Sequence, residues 1–146
     1  MSMVHAHIDI SKGLDGEAVV LACFDLDEER LAASAHAVAA AAAERYRTAV
    51  MSSDDVLSLR ELTALTDDLR DLALQPGMRT VVLRPARLTA YRDAVAFFVE
   101  SRDAADWLRE EDREPLALVR GLLDPLEDLS ADALRAALTG SLADAR

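Results

Sequence analysis

The sequence predicts an α+β fold, a small three-stranded sheet made of an N-terminal hairpin plus a strand at 79–84, covered by five or six helices. Three observations lead there. Residues 4–10 carry a period of two, so alternate side chains point to opposite faces, and a near-continuous apolar run follows at 17–24. From residue 25 onward apolar residues recur at steps of three and four, the spacing of a helix that buries one side. Between helical stretches lies one β-branched run, Thr80-Val81-Val82-Leu83, bounded by Pro76-Gly77 before it and Pro85 after it. All-α is the alternative. It holds if the 79–84 run continues the following helix and the N-terminal 24 residues are partly irregular.

Strand one spans Val4 to Ile10, with Val4, Ala6, Ile8 and Ile10 on a core face and His5, His7 and Asp9 opposite. Turn residues at 11–16 lead to a near-continuous apolar strand, Glu17 to Phe24, which belongs in the middle of the sheet. Asp25 with Glu28 three residues on predicts a capping box and a helix to about Val50, its buried face at Leu31, Ala35, Val38, Ala42 and Tyr46. Ser52, Ser53, Asp54 and Asp55 open a second helix with a sharper stripe, Leu59, Leu62, Leu65, Leu69 and Leu72. After the third strand, a helix from Pro85 or Thr89 to about Ser101 buries Leu88, Tyr91, Val95 and Phe98. From Asp103 the start signals predict a run of shorter helices: Asp103 before Trp107-Leu108, Glu114 before Pro115, Asp124 before Pro125, and Ser130 before a Leu134, Leu138, Leu142 stripe. With no repeat and no low-complexity linker, residues 1–146 read as one domain.

Composition narrows the function classes. At 146 residues and 51% hydrophobic content the chain has enough apolar side chains for its own core, built from Leu, Val and Ala because aromatic residues are only 4%. Fifteen arginines to one lysine, with abundant alanine, point to a GC-rich bacterial genome. The lone Cys23 makes no internal disulfide, and the N-terminus lacks the layout of a secretory leader, so the expected location is the cytoplasm. The longest uncharged run, Leu31 to Ala43, falls well short of a membrane span. A net charge of −11 repels a phosphate backbone and an anionic membrane surface alike, so neither nucleic acid nor membrane is an expected partner.

One stretch departs from that acidity. Residues 77–92 contain Arg79, Arg84, Arg87 and Arg92 and no carboxylate. Arg84 and Arg87 flank Pro85 at a predicted helix start, where backbone N–H groups and a guanidinium fork favour an anion; with Tyr91 they are the candidate ligand-binding residues. The competing reading is intramolecular, the arginines lying against the acidic helices on either side. Two other groups are weighed and set aside. His5, His7 and Asp9 on one strand face are too few for a metal site and read as a solvated face. Glu100, Asp103, Asp106, Glu110 and Glu111 share a face only if one helix runs through them, and interleaved arginines make that face a salt-laced surface.

No catalytic residue, metal or cofactor is therefore predicted. The functional expectation is a non-enzymatic interaction module, a homodimer or a binder of another protein. The alternative is a small regulatory domain for an anionic ligand centred on residues 79–92, and the third reading is an enzyme without a recognisable motif.

Overall fold

The computed structural model describes residues 3–47 and 51–144. In chain order it forms β1 (Val4–Lys12), β2 (Ala18–Leu26), α1 (Glu28–Arg45), α2 (Ser53–Ala73), β3 (Arg79–Leu83), α3 (Pro85–Asp103), α4 (Glu110–Arg120) and α5 (Leu123–Asp144). The expected α+β architecture is the one adopted, with an antiparallel sheet ordered β1-β2-β3 and five helices; the all-α alternative is excluded.

The sheet is organised by its central strand. Val20, Ala22, Phe24 and Leu26 of β2 are buried on one face, beside Val81 and Leu83, which pair with Phe24 and Ala22. The predicted stripe of α3, Leu88, Tyr91, Val95 and Phe98, is fully buried and includes the ring that packs against this face: Phe24 and Tyr91 meet edge to face at 6.1 Å. Such a pair adds about 1 kcal/mol to the area it buries. The Tyr91 hydroxyl finds Ser34 of α1, so neither buried hydroxyl is left unpaired. Alanine lets α1 come close, burying Ala33, Ala35, Ala37, Ala41 and Ala42 around Leu31 and Val38.

Four sequence expectations are corrected. The cap of α1 is Asp27, whose carboxylate accepts from the Arg30 N–H at 2.8 Å, not Asp25. Strand β2 continues two residues further because β3 pairs with it there, Asp25 with Thr80 and Leu26 with Arg79. The α1 helix stops at Arg45, and residues 48–50, which include its expected end, lie outside the described residues. In β1 the alternation breaks at His5, whose φ of 55° makes a bulge and shifts the register between Val4 and His7. Past the bulge Ile10 still pairs with the buried Val20, but it is half-exposed rather than core.

The largest difference is at the C-terminal end. Residues 104–109 are not helical, so Asp103 ends a helix instead of opening one before Trp107. The start predicted at Asp124-Pro125 is found: α5 opens at Leu123 with Pro125 in its first turn, where N–H groups have no helical partner anyway. The start predicted at Glu114-Pro115 is not, because Pro115 lies inside α4, which loses one bond there while Leu116 and Val119 stay buried. Ser130 is a buried residue within α5 rather than a cap. The Leu134 and Leu138 stripe faces out, at 61% and 57% exposure; the side chain of Leu142 lies outside those described.

A buried ionic network fastens α4. Asp112 is only 5% exposed at its side chain and takes the His36 Nε2–H at 2.7 Å and the Arg102 Nε–H at 2.9 Å. Arg102 also reaches Glu44 of α1 at 2.7 Å and stacks its guanidinium 4.5 Å from the Phe98 ring centre. Burial alone would push the Asp112 carboxyl up, but the His36 hydrogen bond and the Arg102 charge hold it below the ordinary carboxylate range. A carboxylate with a lowered folded-state pKa adds stability that is complete above its unfolded value near pH 4 and is lost as pH falls through the folded value. Asp112→Asn should therefore cost about 3 kcal/mol at neutral pH, with the deficit shrinking below about pH 4. Chemical denaturation of both proteins across the acid range measures this, and a constant deficit at every pH would contradict it.

Candidate functional site

The arginine segment occupies β3 and the first turns of α3, beside α2. Its four cations have different fates. Arg87 is held by α2, with Nη2 at 3.0 Å from Glu61 and Nη1 at 3.2 Å from Asp68. Arg92 pairs with the adjacent Asp93 at 3.0 Å, and Arg79 donates to the Pro76 carbonyl at 3.1 Å. Arg84 is exposed at the N-cap of α3 and makes no side-chain hydrogen bond or ion pair among the described residues. Around it, α3 has no side-chain cap and no acidic residue in its first turn. Within α3 no side chain offsets the free N–H groups and partial positive charge of that end; the acid that lines the same cavity as Arg84 is Glu61 of α2, which is bonded to Arg87.

Tyr91 does not join the arginines. Helical spacing sets it one turn beyond Arg87, but it faces the core, completely buried and bonded to Ser34, and burial pushes its hydroxyl pKa up. Of the three predicted ligand-binding residues, Arg84 is open to solvent, Arg87 is engaged by acids, and Tyr91 is a core residue.

Two shallow cavities run along this region. One, of about 320 Å³, is lined by Leu21, Glu61, Val82, Leu83, Arg84 and Arg87. The other, of about 310 Å³, is lined by Leu65, Asp68, Asp71, Leu72, Val82 and Leu83. They share Val82 and Leu83, and so form one trough between α2 and β3.

The remaining constellations disperse. The His5 ring donates to Asp25 at 2.8 Å and the His7 ring to the His5 carbonyl at 2.8 Å, so the two imidazoles do not converge with Asp9. The Thr80 hydroxyl and His5 together hold Asp25 below the usual carboxylate range. The acidic series is split by the end of α3. Asp103 pairs with Arg120, and Glu110 with Arg113. Among the described residues no group of three or more His, Cys, Asp or Glu side chains is placed to hold a metal ion. Cys23 is buried in the sheet, where burial and then the Asp9 charge push its thiol up and keep it neutral.

The His36–Asp112 pair was not visible in the sequence. Its members are separated by most of three helices, and no spacing rule joins them. His36 borders a cavity of about 440 Å³ with Glu28, Glu29 and Glu114 around an alanine floor. No hydroxyl or thiol lines that cavity; on the other side of the pair, Asp112 borders a smaller one with Ser101, whose hydroxyl accepts from Arg102 at 2.9 Å.

No protein-family model, curated protein or solved structure matches this chain. The Arg87 contacts lead to a direct expectation. Arg87→Gln should lower stability by about 0.5–1 kcal/mol, an amount typical of partly exposed pairs, and the loss should shrink as salt screens Glu61 and Asp68. Denaturation midpoints at low and high salt test this; an unchanged or higher midpoint at low salt would show that the pairs are not stabilising.

Proposed function

We propose that this chain is a non-enzymatic interaction module that associates with a second copy of itself. One observation carries the reading: the sheet buries one face and leaves the other open. Phe24, Leu26, Val81 and Leu83 are buried, whereas His7, Asp9, Thr80 and Val82 are exposed, Val82 at 52% on an edge strand. Leu74 and Met78, just before that strand, are exposed as well, and α5 adds Leu134 and Leu138. An edge strand with exposed apolar neighbours is a surface suited to a second chain. The proposed setting is the cytoplasm, which suits the free thiol of Cys23; among the described residues no helix is long and apolar enough to cross a membrane. Light scattering at micromolar concentration should give twice the chain mass of 15.8 kDa. A species that stays at the chain mass on concentration would overturn the proposal.

A second reading is favoured by Arg84, which has no ion pair among the described residues and stands at a helix start without a side-chain cap: a small anionic ligand held there. In that case about 10 mM phosphate or citrate should raise the melting temperature of the wild type, and Arg84→Gln should abolish the rise. Equal shifts in the two proteins would remove this reading.

A further inference from the structure

Resting on the self-association proposed above, we infer that two copies meet through the trough between α2 and β3, about a two-fold axis near Val82. Arg84 of each copy then pairs with Asp71 of the other. A two-fold contact presents one patch to itself reversed end for end, so the patch must be self-complementary. This trough has the required polarity. Arg84 lines only one of its two joined cavities and Asp71 only the other, while Val82 belongs to both. The cavity with two arginines and one acid therefore adjoins, at the exposed Val82, the cavity with two acids and no cation.

Both end charges are available. Glu61, in the cavity of Arg84, and Asp68, in the cavity of Asp71, are engaged by Arg87, whereas Arg84 and Asp71 have no ion pair among the described residues. The local charge is also closer to balance than that of the rest of the chain. Glu61, Asp68 and Asp71 face Arg84 and Arg87 along the two cavities, in a chain whose net charge is −11. Two copies can approach here with less like-charge repulsion than more acidic surfaces would bring. The α5 face is a contrasting case. Its exposed leucines sit on a helix with Glu127, Asp128 and Asp132 against the single Arg135, so pairing α5 with α5 brings acid to acid. Arg84 alone would serve an anion, and Asp71 alone a basic partner. A second copy is the occupant that uses both.

Sedimentation equilibrium on the full chain tests this with charge reversals. Arg84→Asp and Asp71→Arg should each weaken the dimer by more than about tenfold, because an attraction made twice becomes a repulsion made twice. An equimolar mixture of the two variants should recover wild-type affinity as a heterodimer, since every crossed pair is again opposite in sign. Folding is not at risk. An aspartate suits the N-cap of α3, and an arginine suits the last turn of α2. Circular dichroism and melting temperatures provide the control. A wild-type dimer that both reversals leave intact, or that only Leu134→Asp with Leu138→Asp dissociates, would overturn this interface while leaving self-association standing. A wild type that remains monomeric at about 100 μM would instead remove the self-association reading itself.

Discussion

The burial of one face of β2 is the constraint on which the rest of the structure depends. A strand carrying Val20, Ala22, Phe24 and Leu26 on the same side can be stable only if helices cover that side and both of its edges are paired. The hairpin supplies β1 at once. The other neighbour, β3, has to return antiparallel from beyond two helices, and its own alternation then buries Val81 and Leu83 and turns Val82 outward. With Leu83 fixed against Ala22, the next residue leaves the sheet. Arg84 is therefore carried to the surface at the mouth of α3, while Tyr91, two turns on, points back beneath Phe24. The exposure of one residue and the burial of the other are consequences of the same register.

Elements whose signals are local were legible in the sequence. The α2 helix begins where Ser52 and Asp55 form a reciprocal capping box, and α3 buries the four residues that its spacing marked. The three-stranded sheet followed from a period of two and one β-branched run. Assignments that required knowing a distant partner failed. Asp25 looked like a cap because nothing near it in sequence reveals that Thr80 will donate to its carboxylate. Pro125 did mark the first turn of α5, where a proline removes a bond that was never going to form, whereas the same signal at Pro115 misled because α4 carries that proline in its interior. In the candidate site, the acids facing the arginine segment could be anticipated only as a class. That Arg87 would be the one claimed, and by Glu61 and Asp68 together, depends on how α2 lies against α3.

Acidity is handled differently inside and outside. At the surface, charge repulsion is relieved by partly exposed pairs that each contribute little. Inside, Asp112 is neutralised by two donors from two other helices, and its removal would take from the mostly buried Arg102 one of its two carboxylates, leaving Glu44. A short helix with a proline in it would hold its place poorly by propensity alone. The buried carboxylate compensates by fixing the orientation of α4 as well as its position, since a hydrogen-bonded ion pair has a direction and a leucine contact does not.

The wide separation between β2 and β3 also has a kinetic meaning. The β1–β2 hairpin closes over a turn in which Gly16 takes a positive φ of 82°, so it forms early and locally. Its second edge waits for residues 27–78 to pack before β3 can arrive, a long loop whose closure slows folding. During that interval the chain carries an apolar strand with one open side. Crowded synthesis would favour its capture by the same strand of a neighbouring chain, and the acidic net charge of every copy is what keeps those neighbours apart until the sheet is complete.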